Sequence, residues 1–221
     1  MIRVTAFRWV PPFAQGLVRD LRVRWALEEA GLPYEARLIG LDERDSRAHR
    51  AHQPFGQVPV YEEEEEGGEP FVLFESGAIV LHIAERSEAL LPRDPAGRAR
   101  TVQWMFAALN TIEPHIQNFG FVAGPFKDEE WAKLRRPALQ EMAEKRLDEL
   151  AARLGGREWL EGDFTAGDLL MVSVLRILGS TDLVSSRPSL AAYQARGEAR
   201  PAFQRALAAQ CAPFAENAPE G

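Results

Sequence analysis

A proline stands where a β-strand should begin. Val58-Pro59 opens the apolar run V-P-V-Y, yet proline has no N–H to give to a sheet ladder and is confined to strand starts and edges. One resolution is a cis peptide that turns the chain just before the strand and leaves the Val58 backbone free. A free, extended backbone can pair with a peptide-like ligand as an added strand would. Further along, Glu75-Ser76 directly precedes the apolar-periodic stretch G-A-I-V-L-H-I-A-E. That places a hydroxyl and backbone N–H groups at a helix N-terminus, which suits a ligand carboxylate. Two peptide-recognition devices in one small region point to a small peptide ligand with a free carboxylate.

The segments around them order themselves. Residues 2–7 are β-rich. Trp9 to Gln15 is aromatic and proline-laden, a loop. Apolar residues recur at near-helical spacing from Leu17 to Ala30, and Gly31 with Pro33 just beyond it ends that helix. Residues 34–39 read as a second strand, so the first two strands should be parallel with a right-handed crossover. A short polar helix covers Glu43 to Ala51. Val58–Glu62 and Pro70–Phe74 read as a hairpin, followed by a helix over Ser76–Glu85. This βαβ-then-ββα order is what a thioredoxin-like domain shows. Residues 90–95, L-L-P-R-D-P, read as a linker, and beyond them strand signals nearly vanish. Helical patterns rich in Ala, Leu, Glu and Arg cover 97–123, 128–154, 166–180 and 188–212. The expected class is α/β plus all-α: a thioredoxin-like domain over 1–86, a linker over 87–95 and an all-helical domain over 96–221.

Bulk properties narrow the function. Hydrophobic residues at 46% and charged residues at 27% are ordinary for a soluble globular chain. A net charge of −7 argues against nucleic acid or an anionic membrane as the main partner. One cysteine, Cys211, makes neither an internal disulfide nor a cysteine metal site, and reads as a bystander thiol. No apolar run approaches the roughly 20 residues of a membrane span, and the N-terminus reads as a strand rather than a signal peptide. A cytoplasmic enzyme or binding protein is the expectation. No metal is expected. The acidic run Glu62–Glu66 reads as a solvated hairpin tip, because carboxylates on a strand alternate faces, and His82 with Glu85 lacks a second such pair.

Several motifs together resemble the glutathione transferase family, of the cytosolic, bacterial-like type. They are W-A-L-E-E-A-G-L-P-Y-E at 25–35, P-F-G-Q-V-P-V at 54–60 and F-E-S-G-A-I at 74–79. His52-Gln53 replaces the family's frequent Asn before Pro54. F-T-A-G-D-L-L-M at 164–171 carries a capping box through Thr165 and Asp168, a folding element. The resemblance implies that the Val58 backbone, held by Pro59, pairs with the cysteinyl part of glutathione. It implies that Ser76 and Glu75 hold the γ-glutamyl carboxylate and ammonium, and that Gln57 lies near the glycyl end. It further implies a homodimer, glutathione as co-substrate, and transfer of its thiolate to a small apolar electrophile. Isomerases and dehalogenases on the same fold are alternatives, as is a glutathione-binding protein of little or no activity.

One part of the pattern is missing. The family's thiolate takes its stabilising hydrogen bond from a Tyr or Ser, or its place is taken by a Cys, but residues 8–24 contain no Tyr, Ser, Thr or Cys. Phe13 falls where the Tyr would be, and Leu17 or Val18 where the Ser would be. Three substitutes offer themselves: the N-terminus of the first helix near Ala14 to Gly16, Gln15, and Arg19. The bland reading of Arg19 and Arg22 is a solvated helix face. Trp9, Pro11, Pro12 and Phe13 suit an apolar second-substrate wall. Asn110, with His115, Gln117 and Asn118, is expected on a helix facing that pocket, and His49 and His52 stand where a histidine could meet the glycyl carboxylate.

Overall fold

Strand β1 (Ile2–Phe7) lies parallel to β2 (Tyr34–Ile39), with Ile2 opposite Tyr34 and Phe7 opposite Ile39, and α1 (Asp20–Ala30) crosses between them. A computed structural model describes residues 1–64 and 67–218. α1 ends as expected: Gly31 adopts φ 66° and Leu32 N–H bonds the Leu27 carbonyl at 3.0 Å. Its start differs. Pro12–Ala14 forms a 3₁₀ turn and Gly16 turns at φ 75°, so the helix begins at Asp20 rather than Leu17. The amides of Ala14, Gln15 and Leu17 bond the carbonyls of Pro11, Pro12 and Ala14. Ala14 to Gly16 is therefore a closed turn and not a helix N-terminus.

The expected polar helix is a 3₁₀ turn at Glu43–Asp45 and a single helical turn, α2 (Arg47–Arg50), capped by Ser46. β3 (Val60–Glu63) and β4 (Phe71–Phe74) complete a four-stranded sheet of order β2-β1-β3-β4, both joining antiparallel. Glu62 and Glu63 belong to β3 and not to a solvated tip. Glu62 is 9% exposed, with Arg37 Nη1 3.5 Å from its carboxylate. Glu65 and Glu66 lie outside the described residues. α3 (Ser76–Ala84) follows β4.

The chain divides into two compact units, residues 91–200 and the remainder, so α9 (Pro201–Glu216) belongs with the sheet, whereas the sequence groups it with the preceding helices. The reason is α1, whose residues Asp20 to Leu27 are all buried. A helix buried all round needs cover on both sides, and α9 supplies it. The Trp25 and Phe203 rings meet edge to face at 4.9 Å. Gln210 Nε2 donates to Asp20 Oδ1 at 2.7 Å and to the Val18 carbonyl at 3.1 Å, and Arg24 Nε donates to Asp20 Oδ2 at 2.8 Å. Burial pushes the Asp20 carboxyl above its usual range, and Arg24 and Gln210 pull it back.

The second unit is helical: α4 (Pro95–Phe106), α5 (Glu113–Ala123), α6 (Glu130–Leu154), α7 (Ala166–Leu175) and α8 (Pro188–Glu198). Two expected continuous helices are interrupted. Pro114 brings no N–H to the ladder, and the turn before it, Ala107–Ile112, widens to a π-helix in which Glu113 N–H reaches the Ala108 carbonyl. Pro201 separates α8 from α9. The capping box forms as expected: Asp168 Oδ2 accepts from Thr165 N–H at 3.0 Å, and Asp168 Oδ1 also takes Leu160 N–H and the Tyr193 hydroxyl, each at 2.9 Å.

Because Arg24 is buried against Asp20, removing the carboxylate leaves a buried cation without its counter-charge. Asp20→Ala is expected to cost about 3–5 kcal/mol of stability, read by urea denaturation. A loss below about 1 kcal/mol would show that the pair does not hold α1 in place.

Candidate functional site

Strand register brings the two motifs together. Val60 pairs with Phe74 across the antiparallel β3–β4 hairpin. Val58-Pro59 enters β3 just before that pair, and Glu75-Ser76 leaves β4 just after it, so both stand at the same end of the sheet. β1 runs antiparallel to β3, with Val4 opposite Tyr61. Its C-terminal end, and the loop from Arg8 onward, therefore leave at that end too.

At the start of α3 the backbone bends sharply. Glu75 adopts φ 72°, ψ 112°, an uncommon conformation for a residue with a side chain. Such backbone costs on the order of 1–3 kcal/mol and gathers at functional sites. It leaves the Glu75 carboxylate exposed while Ser76, the first residue of α3, is 5% exposed. The first amides of a helix have no partner within it and carry its partial positive charge. The Ser76 hydroxyl has a buried neighbour: Arg22 Nη1 donates to its oxygen at 3.3 Å. Arg22 is 4% exposed, so the solvated-face reading fails for it, because α3 and α9 enclose α1. Arg19 is exposed, at the N-cap of α1.

The Val58-Pro59 peptide is cis, with both residues buried and Gln57 exposed. His49 sets the approach to it. A carbonyl can only accept, so His49 Nε2 carries the proton it gives to the Gln57 carbonyl at 2.8 Å. This buried ring is therefore tied to the loop through Nε2. His52 instead stands 3.2 Å from Glu62. Gly56 turns at φ 64°, where an added Cβ would come within 3.1 Å of the Arg44 carbonyl. Arg50 braces the same turn, through the Pro54 carbonyl at 2.7 Å and through Asp45.

In the loop after β1, Trp9 and Pro11 are half-buried and Phe13 is 61% exposed. Gln15 Nε2 donates to the Val10 carbonyl at 3.1 Å. Asn110 is exposed on the π turn of the second unit. Arg22 and His49 are the residues whose positions the sequence reading missed. His49 had a partial signal in its place ahead of the Val-Pro loop. Arg22 had none, since its burial depends on α9, remote in the chain.

Comparison with known proteins agrees with this geometry. The family described as "Glutathione S-transferase, N-terminal domain" matches residues 21–92. A glutathione S-transferase of Hyoscyamus muticus is 30% identical over 199 residues, covering 85% of this chain and 92% of that protein. The disulfide-bond oxidoreductase YfcG of Escherichia coli (strain K12) is 37% identical over 102 residues, which is 43% of this chain and under half, 46%, of that relative. Among solved structures, a glutathione transferase family member from Pseudomonas fluorescens pf-5, with two glutathione bound, superposes with a TM-score of 0.80 at 27% identity, covering 93% of this chain and 92% of that one.

Proposed function

The chain belongs to the glutathione S-transferase family, and on that premise we propose that its first unit binds glutathione and presents the thiol to a small apolar electrophile. One observation carries this reading: Val58-Pro59 and Glu75-Ser76 converge at one end of the sheet through the Val60–Phe74 pair. The Val58 backbone takes the cysteinyl part as an added strand. Ser76 and the α3 N-terminus take the γ-glutamyl carboxylate, the exposed Glu75 carboxylate takes the ammonium, and Gln57 lies toward the glycyl end. Trp9, Pro11 and Phe13 give the electrophile an apolar surface. A cytoplasmic setting goes with this reading. Among the described residues no helix is long and apolar enough to cross a membrane.

Ser76→Ala removes a hydrogen bond to a charged group, about 1.5–3 kcal/mol. Calorimetric titration should show glutathione bound roughly ten- to a hundredfold more weakly. Equal affinity for wild type and variant would end this assignment.

Thiol activation has no side-chain hydroxyl in residues 8–24 to draw on, and the turn at Ala14–Gly16 is closed. We propose that Arg19, at the N-cap of α1, and the second amide hydrogen of Gln15 stabilise the thiolate in place of the missing hydroxyl. A nearby cation and a hydrogen-bond donor can lower a thiol pKa by about one unit or more. Ultraviolet titration of bound glutathione should find that lowered pKa in wild type and a higher one in Arg19→Ala. A bound thiol that titrates like free glutathione would leave binding without catalysis as the better reading.

The family resemblance also carries a homodimer, and the first unit offers apolar surface for one. Phe55 is 63% exposed, and its ring meets that of Phe74 edge to face at 6.1 Å, with Phe71 also exposed on β4. A two-fold interface is the commonest way to cover such a patch. Light scattering at micromolar concentration should give twice the 24.7 kDa of the chain, and Phe55→Asp should shift it toward the monomer. A wild-type mass of one chain would refute the dimer.

A further inference from the structure

One face of the sheet is charged. Side chains alternate along a strand, so the register of β1 with β2 and β3 puts Arg3, Glu35, Arg37 and Glu62 on the same face. Arg3 lies 3.8 Å from Glu35 and 2.9 Å from Glu64. Glu62 is the most buried of the group, with Arg37 Nη1 at 3.5 Å. A second basic group reaches the same carboxylate from outside the sheet: His52 Nδ1 stands 3.2 Å from Glu62 Oε1. That nitrogen is closed off from solvent and makes no aligned hydrogen bond among the described residues. A neutral ring therefore gains little from Glu62, whereas a protonated ring gains a counter-charge that water screens poorly. His52 belongs to the segment that runs from α2 to the cis Val58-Pro59 peptide. Its other basic groups point to other tasks. His49 Nε2 holds the Gln57 carbonyl, Arg50 holds the Pro54 carbonyl and Asp45, and Arg47 is exposed. The pair of His52 and Glu62 joins this segment to β3.

We infer that His52 is a positioning residue for the Gln57–Val58 backbone: through Glu62 it pins the chain ahead of the cis peptide to β3, and the grip tightens when the ring takes up a proton. Ligand binding along that backbone thereby responds to pH. This rests on the glutathione reading above and deepens it, by adding a regulator to the side of the site that takes the cysteinyl and glycyl parts. Imidazole titrates near a pH of about 6.5. The charged pair is complete below that range and is lost as the pH rises through it, so affinity should fall with rising pH.

The probe is S-methylglutathione, whose sulfur has no proton to titrate. Calorimetry at about pH 5.5 and about pH 7.5 brackets the imidazole range. Wild type should bind it about threefold more tightly at the lower pH. His52→Gln and Glu62→Gln should each keep the wild-type affinity at the higher pH within about twofold, and lose the tightening at the lower. His52→Lys, charged at both, should hold the tighter affinity at both. Should Glu62→Gln fail to fold, the two His52 variants decide. A tightening that survives in His52→Gln belongs to another group, His49 first among them, and overturns the inference. Equal weakening of His52→Gln at both pH values is the mark of a merely structural role and overturns it too, as does a wild type without the pH response. A wild type that binds the probe at neither pH would instead remove the glutathione reading itself, and the inference with it, which separates the two failures.

Discussion

The pairing of Val60 with Phe74 is the contact on which the rest of the site depends. A slip of one residue between β3 and β4 would turn every side chain of one strand to the opposite face. It would also carry Glu75-Ser76 out of step with Val58-Pro59. The register is held from both ends. On the side of the motifs, the His49 ring and the turn at Gly56 hold the approach to Val58. Near the other end, the Glu63 carboxylate takes Arg86 from beyond α3 at 2.8 Å and the Tyr61 hydroxyl at 2.8 Å. Burial and that neighbouring carboxylate push the Tyr61 hydroxyl far above its usual range, so it stays a donor.

α1 is the second fixed element, and its chemistry is unusual for a buried helix. Leu21, Val23, Trp25 and Leu27 are each 3% exposed or less, and burying such side chains contributes about 1.5–3 kcal/mol apiece. Yet Asp20, Arg22 and Arg24 are buried among them. Each charge has a stated use: Asp20 ties Arg24 to Gln210 of α9, and Arg22 reaches Ser76 of α3. The helix thereby couples the sheet's outer cover to the start of α3. That arrangement trades some stability for position, since apolar residues in these places would pack at lower electrostatic cost.

Much of this was legible where the signal is local. Gly31 ends α1 because a left-handed residue closes a helix, Val58-Pro59 marks a strand start because proline cannot sit within one, and Ser76 opens an apolar period. Thr165 and Asp168 likewise announce their own helix. Two signals were present and under-read: Pro114 and Pro201 each interrupt a helix that composition alone extends. Gly16 was a third, since a positive φ there moves the start of α1 to Asp20 and closes the turn at Ala14–Gly16. What no local pattern holds is which helix covers which. Arginines spaced along α1 look solvated until α9, far along the chain, is laid over them. The burial of Arg22 and Arg24, and with it the electrostatics of the site, is a property of the packing alone.

The overall charge makes that packing matter more. The chain carries a net charge of −7, so its long-range field does nothing to draw in an anionic tripeptide. At physiological salt, exposed charges are screened beyond about 8 Å, which leaves the local groups to decide binding. Exposed arginines are poorly suited, since a pair in water contributes about 1 kcal/mol or less. Groups held by the fold are the opposite case: the Ser76 hydroxyl and the first amides of α3 are already in place, ordered when the protein folds rather than when a ligand arrives. Ordering that precedes binding does not have to be repeated at the moment of association. Packing thus sets what the start of α3 presents, since α1, held between α3 and α9, keeps Arg22 Nη1 within 3.3 Å of the Ser76 hydroxyl.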